Sequence, residues 1–580
     1  MLVLGAALGL ACRGRADGDR VLVLGLDGLD PATVDLMISE GRLPNFARLQ
    51  AQGAHGRLHS QVPLLSPVIW TTIATGKPPA EHRIGHFVAI DRATGRELPV
   101  TSRMRRVKAL WNIASEARRS VDVVGWWATW PAETVRGTIV SDHLCYHFLF
   151  KEGFEPGSGP LGVVSPAERF DEVAQLVRRL SDISKEDLAP FVDVSAAVLS
   201  RPFTFEDDLA HLRWALATAE TNQRIGRHLW RHDEPDLLML YIEAVDSASH
   251  LFGHLFRAGS LSGELEVQRK RYGAVVDGVY RLADRFVGEW MAGLDDRTTL
   301  VVLSDHGFDL GALPVDPSKT RDLRRVSADN HRIDGCLFLY GRGIRPGTRI
   351  DGAGILDVAP TLLALLGVPP AEDMPGHVLT QALNVATPAR VATYEHVPSV
   401  SPIAPPDPDV DAEMVARLRS LGYLAADSPE GDRNLAGILF ESGRFEEALI
   451  AYRKLVEGAP NDAALRASLA GTLGALGRFD EALDEAGRAI ALSPLLPEPY
   501  HNRAVIHERR GDRAAAIRDY RDALRYNPAY EPSREALLRL LPPSGGRPDV
   551  APDPALERAQ RLAEPDGPPR GLSRRHAASR

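Results

Sequence analysis

The 580-residue chain predicts an α/β domain, a mostly parallel sheet covered by helices on both faces, followed by an all-α repeat region. Three observations carry this. Short continuous apolar runs recur through the first two thirds of the chain, as suits strands covered on both faces. Helical patterns separate them, and such alternation implies parallel strands joined by crossovers. Beyond about residue 431 a 34-residue period replaces that rhythm.

The first run, 21–26, ends on Asp27-Gly28. Residues 121–125, 237–242, 299–303 and 336–340 repeat the design, with helical patterns at 109–118, 209–230 and 268–294. At 65–76 a serine followed by proline and an apolar stretch reads as a helix start, Ser66 capping free N–H groups and Pro67 occupying the first turn. A helix N-terminus also attracts anions, so beside that cap reading Ser66 is a candidate nucleophile, to be decided by what else the chain brings to it. Gly- and Pro-rich pieces and amphipathic stretches at 143–211 interrupt the strands and predict a helical cap over the site. Residues 357–367 read as a helix with a glycine stop, which closes a domain spanning 20–398. The expected linker is 399–430, proline-rich at its start, the repeats occupy 431–541, and 542–580 lacks apolar periodicity and is predicted to be disordered.

A net charge of −9 leaves no basic footprint for nucleic acid. Three cysteines, Cys12, Cys145 and Cys336, form neither a metal pair nor a disulfide framework, so any metal must use histidines and carboxylates. The apolar residues 1–11 suit the core of a signal peptide, and the small residues before Cys12 resemble a bacterial lipoprotein cleavage site. The expectation is export to the bacterial cell envelope, periplasmic or anchored through a lipidated Cys12, with 1–19 as leader and linker.

Open α/β sheets bind ligands beyond the carboxyl ends of their strands. There stand Asp27, Asp246, and Asp305-His306, with His250 four residues after Asp246 on one helix face and His331 just before the last strand. Taken singly, Asp27 could shape a turn and Asp305 could cap a helix. Their joint placement is what turn-making leaves unexplained, and Asp with His suits Zn²⁺ or a similar divalent ion.

In the repeats, Gly443, Gly477 and Gly511 are 34 apart, as are Ala448, Ala482 and Ala516; Pro460, Pro494 and Pro528; and Ala436, Ala470 and Ala504. This resembles the tetratricopeptide (TPR) family: paired helices forming a solenoid whose groove takes a protein or peptide partner.

The first domain resembles the alkaline phosphatase superfamily and, within it, the type I phosphodiesterase and nucleotide pyrophosphatase branch. The resemblance rests on 24–28, Ser66 with Thr75-Gly76, Asp246 with His250, Ser304-Asp305-His306-Gly307, His331 before Gly335, and Ala359-Pro360-Thr361. It implies two divalent metal ions, Zn²⁺ by type: one held by Asp246, His250 and His331, the other by Asp27, Asp305 and His306 with Ser66. The implied activity is phosphoester hydrolysis, by a phosphodiesterase or phosphatase, through a phosphoseryl intermediate on Ser66. Phosphodiesterases of this branch usually carry threonine at the Ser66 position. Where nucleotide pyrophosphatases place asparagine this chain has His86-Phe87, with His86 a substitute donor to substrate. Formylglycine sulfatase chemistry is disfavoured, since Val68 and Trp70 stand where it needs proline and arginine. Two alternatives remain: a phospho-head-group transferase of the envelope, and an inactive scaffold acting through its repeats.

Overall fold

A computed structural model describes residues 19–90, 96–149, 153–259, 261, 263–311, 330–396, 408–421, 423–424, 429–441, 443–527 and 530–541. Cys12 and Pro528, the leader 1–18 and the tail 542–580 lie outside the described residues. The chain divides into two compact units, Met1–Gly431 and Asp432–Arg580.

The first unit is built on nine strands: β1 (Arg20–Leu26), β2 (Ala54–His59), β3 (Val121–Val124), β4 (Gly137–Val140), β5 (Val164–Ser165), β6 (Leu237–Ile242), β7 (Thr298–Leu303), β8 (Asp334–Gly341) and β9 (Thr348–Ile350). They form one sheet in the order β9-β2-β8-β7-β1-β6-β3-β4-β5. The central strands β7, β1, β6, β3 and β4 run parallel. β8 is antiparallel to both of its neighbours, and β5 is antiparallel to β4. The apolar runs are buried along their whole length in β1, β6 and β7, as strands covered on both faces must be.

Helices that position the site are α1 (Ser66–Thr75), α2 (Asp208–His232), α3 (Ala244–Phe252), α4 (Val275–Met291) and α5 (Val358–Leu365). The helical pattern at 268–294 is divided between two helices, Gly263–Tyr272 and Val275–Met291, with Gly273 at the junction, where a Cβ would lie 2.5 Å from the Arg269 carbonyl oxygen. The predicted cap at 143–211 consists of short helices together with β5, which extends the main sheet.

The stretch 399–430, expected as a linker, carries a helix, α6 (Pro408–Ser420), that belongs to the first unit. Val410, Met414, Val415, Leu418, Leu421 and Tyr423 on it or just beyond it are buried. The prolines before it masked an amphipathic pattern whose apolar face needs a partner surface.

Asp122, in β3, is buried with Oδ1 accepting from the Thr138 N–H at 2.8 Å and Oδ2 without a hydrogen-bond partner. Burial, reinforced by Asp233, pushes its carboxyl up to about 7. The folded state therefore holds this proton more tightly than the unfolded chain does. The resulting penalty is absent below about pH 4, grows up to about pH 7 and is constant above. Asp122→Asn keeps the acceptor and removes the charge, so it is expected to raise the melting temperature by about 2–4 °C at pH 8 and not at pH 4. Equal shifts at both pH values would refute the charge argument.

The second unit continues with α7 (Pro429–Glu441, whose first residues precede the boundary), α8 (Phe445–Gly458), α9 (Ala463–Ala475), α10 (Phe479–Leu492), α11 (Pro497–Arg509), α12 (Arg513–Tyr526) and α13 (Glu531–Leu540). Ala436, Ala470, Ala504, Ala448, Ala482 and Ala516 are fully buried, so the small residues of the sequence period are those over which paired helices close. Gly477 turns the chain between α9 and α10 at φ +75°, a left-handed conformation that glycine adopts without steric cost. Among the described residues no helix is long and apolar enough to cross a membrane.

Candidate metal centre

β7, β1 and β6 lie side by side and parallel, Val23 facing Val301 on one side and Met239 on the other. Whatever follows these strands therefore emerges at one edge. Asp27 follows β1 directly, its N–H donating to the Ile242 carbonyl at 3.0 Å. Gly28 has φ +70°, and a Cβ there would lie 2.9 Å from Asp246 Cα. Only glycine satisfies both the backbone conformation and the close approach. Its N–H donates to Asp305 Oδ1 at 3.3 Å, the Leu29 N–H donates to Ser304 Oγ at 2.8 Å, and that hydroxyl donates to the His306 carbonyl at 2.7 Å. The two loops thus hold each other.

Asp246 and His250 are one turn apart on α3, with His250 Nε2 3.4 Å from Asp246 Oδ1. His331 arrives on a two-residue strand, His331–Arg332, which pairs antiparallel with Gly307–Phe308. That pairing turns its ring toward His306, with centroids 4.3 Å apart.

The donor atoms converge. His306 Nε2 lies 3.4 Å from Asp27 Oδ1, 3.6 Å from Asp305 Oδ2 and 3.9 Å from Asp246 Oδ1. His331 Nε2 lies 3.8 Å from Asp246 Oδ1 and 3.2 Å from His250 Nε2. Two overlapping triads result, Asp27–Asp305–His306 and Asp246–His306–His331, each with ligand atoms within 4.8 Å of one another. His306 is common to both and is nearer Asp27 and Asp305, while His250 lies beside Asp246 and His331.

Burial, then Asp246, raises the Asp27 carboxyl above its ordinary range, and burial with Asp27 and Asp246 drives Asp305 well above it. Burial would also raise Asp246, but His250, His331 and His306 outweigh it and hold that group well below the usual value. Burial and His306 hold His331 at about 3, so it stands as a neutral imidazole with a lone pair to give.

The residues present fit a divalent cation. Asp27 Oδ1, Asp246 Oδ1, Asp305 Oδ2 and His306 Nε2 are all buried without a hydrogen-bond partner. Each such atom costs about 1–3 kcal/mol or more unless something takes its lone pair. The partner oxygen Asp27 Oδ2 is already saturated, accepting from Tyr241 Oη at 2.5 Å and Trp70 Nε1 at 2.9 Å. Outer donors of this kind fix the orientation of a metal-binding carboxylate. Mixed nitrogen and carboxylate donors without thiolate suit divalent metal ions.

Ser66 is the first residue of α1 and is buried. It differs from the expected cap: Leu65 holds the capping position and no side chain caps this helix. α1 is tied to the centre through Trp70, whose ring meets Trp126 and Tyr241 edge-on at 5.0 and 5.3 Å. Burial lowers His86 to about 4, and its Nδ1 has no hydrogen-bond partner. Its neighbour Phe87 packs against Trp127 at 5.7 Å and against Tyr423 at 4.3 Å between ring centroids. Two site residues escaped the sequence. Tyr241 lies inside an apolar run that reads only as strand, and Tyr423 lies in the supposed linker, yet its Oη is 2.7 Å from His250 Nε2. No local signal marks either.

A mostly parallel sheet with this Asp and His cluster at its carboxyl edge has the alkaline-phosphatase-like fold. The chain belongs to the type I phosphodiesterase / nucleotide pyrophosphatase family, whose model matches residues 21–337, a span that includes Asp27, Asp246, His250, Asp305, His306 and His331. A tetratricopeptide repeat model matches residues 497–530. Among curated proteins, the Hsp70-Hsp90 organising protein of Plasmodium falciparum is 26% identical over 131 residues, 23% of this chain and 46% of that protein. The 2,3-bisphosphoglycerate-independent phosphoglycerate mutase of Laribacter hongkongensis (strain HLHK9) is 49% identical over 41 residues, 7% of this chain and 8% of the enzyme. The chain thus spans less than half the length of these relatives. Among solved structures, phosphonoacetate hydrolase from Sinorhizobium meliloti 1021, in complex with phosphonoformate, is 19% identical with a TM-score of 0.31, covering 50% of this chain and 57% of that one.

Proposed function

We propose that this chain is a metal-dependent phosphoester hydrolase with Ser66 as nucleophile, and that its repeats bind a protein or peptide partner. The observation that carries the reading is the convergence of four buried donor atoms, Asp27 Oδ1, Asp246 Oδ1, Asp305 Oδ2 and His306 Nε2, that no hydrogen bond satisfies. Two divalent ions there, Zn²⁺ by donor type, would neutralise phosphoryl charge and make the Ser66 hydroxyl acidic enough to react near neutral pH. Asp27, Asp305 and His306 would hold the one beside Ser66; Asp246, His250 and His331 would hold the other.

Ser66 gives up its hydroxyl proton to solvent, Oγ attacks phosphorus, an O–P bond forms to the serine, and the bond to the leaving oxygen breaks. The leaving group departs as an alcohol after taking up a proton. Water then attacks the phosphoseryl ester, releasing the phosphate product and restoring the serine. The Ser66 N–H at the positive end of α1 is available to a nonbridging oxygen. His86 is the candidate donor to the substrate's remaining groups.

Transfer of the phosphoryl unit to a second alcohol uses the same intermediate. It is favoured by the burial of the centre, where Asp305, His306 and His250 are fully enclosed. The apolar leader and Cys12 support placement in the cell envelope.

Purified protein is expected to carry about two divalent ions per chain and to hydrolyse aryl phosphate monoesters or diesters until chelated. Product analysis with an added alcohol separates hydrolysis from transfer. A metal-free protein that turns over at full rate would overturn the reading.

A further inference from the structure

We propose that Tyr423 contacts substrate: its hydroxyl hydrogen-bonds the phosphoester oxygen lodged beside His250 and His331, and its ring, with Phe87, walls the path of the leaving group. This rests on the proposed function and names a recognition residue from outside the segment that the family model matches, which ends at residue 337.

Three observations support it. Tyr423 Oη lies 2.7 Å from His250 Nε2 and 3.4 Å from His331 Nε2, and those two nitrogens are 3.2 Å apart. The hydroxyl is therefore aimed at the place where the second ligand group converges. Tyr423 is only 2% exposed, with Phe87 tilted over its ring at 4.3 Å and His331 nearly parallel to it at 6.0 Å. Next, the segment is clamped to the ligand helix itself. Arg417, on α6, makes a buried ion pair with Glu243 at 2.7 Å and donates to Ser247 Oγ at 3.3 Å. Glu243 and Ser247 flank Asp246 in sequence, so the clamp fixes Tyr423 against the residues that carry two of the ligands.

Chemistry gives the reason for a phenol here. The centre already holds three carboxylates, and an anionic phosphoester brought against them needs donors. A tyrosine hydroxyl donates while remaining neutral at physiological pH and adds no acceptor charge. A buried ion pair such as Arg417–Glu243 adds little net stability, because desolvation offsets its Coulomb gain, but breaking it is costly, so it holds α6 in one position against α3.

The test uses the full chain and Tyr423→Phe, which removes one oxygen and keeps the ring. Metal content and melting temperature are expected to stay at wild-type values. Affinity for inorganic phosphate, measured by calorimetry, is expected to fall about 10-fold or more. Across aryl phosphoesters, kcat/KM should fall by a similar factor, with steeper dependence on leaving-group basicity. Unchanged phosphate affinity and leaving-group dependence would overturn the inference. So would loss of bound metal, which would make the hydroxyl a metal ligand, or a gain in turnover, which would make the segment an obstruction. Wild-type protein that binds metal but no phosphate overturns this inference alone, whereas wild-type protein that binds no metal overturns the proposed function with it.

Discussion

Ser66→Ala is expected to lower turnover of aryl phosphoesters by about 10³-fold or more, with metal content and melting temperature nearly unchanged. The pairing of these outcomes is what gives the experiment its force. If Ser66 served as a helix cap, its replacement by alanine would cost about 1 kcal/mol of stability. Leu65 holds the capping position without any side-chain bond, and Ser66 is already inside the helix, where alanine is the better residue. The hydroxyl therefore has no helix-capping role to lose. Acid quenching with a labelled substrate should trap a phosphoserine in the wild-type chain and none in the variant. Full turnover in the alanine variant, or a marked loss of stability with activity retained, would return Ser66 to a structural role.

Asp305→Asn is expected to weaken metal binding by at least about 100-fold, beyond the usual cost of losing an outer-sphere partner, while raising the melting temperature of the chelated protein at pH 8 by a few degrees. Both effects follow from one arrangement. Burial and the neighbouring Asp27 and Asp246 push the Asp305 carboxyl well above its ordinary range. Without a cation this buried charge destabilises the fold; with one it is expected to serve as a ligand. Asparagine keeps the oxygen that accepts from the Gly28 N–H at 3.3 Å and replaces the charged Oδ2, 3.6 Å from His306 Nε2, with a neutral amide. Thermal melts in chelator and after adding Zn²⁺ measure the two effects separately, the metal-dependent rise being large for wild type and small for the variant. A variant that binds both metal equivalents as tightly as wild type would remove Asp305 from the ligand set.

Much of the molecule was legible because its physics is local. The runs at 237–242 and 299–303 are central strands, and such strands must be apolar on both faces, so they declare themselves without partners. β2 and β9 did not. Ala54–His59 is half polar and Thr348–Ile350 is three residues long, and each becomes a strand only because a neighbour supplies its hydrogen bonds. The spacing of Asp246 and His250 was sufficient to place both on one helix face, since a turn of helix is a local object. Tyr423 was out of reach for the opposite reason, since its contact with His250 spans 173 positions and depends on how α6 is seated.

By itself the sequence determined the α/β sheet, the helical repeats with their buried alanine ladders, and the identity of the aspartates and histidines at the strand ends. Hydrophobic periodicity and strand-to-helix alternation encode these directly. Only the tertiary structure decided how those residues meet: three parallel strands bring Asp27, Asp246 and Asp305 to one edge, and the pairing of Gly307–Phe308 with His331–Arg332 turns His331 toward His306. It also decided that a proline-led stretch is no spacer. Its apolar face gains more from burial against the rest of the first unit than from solvent, and that burial carries Tyr423 to His250 and His331.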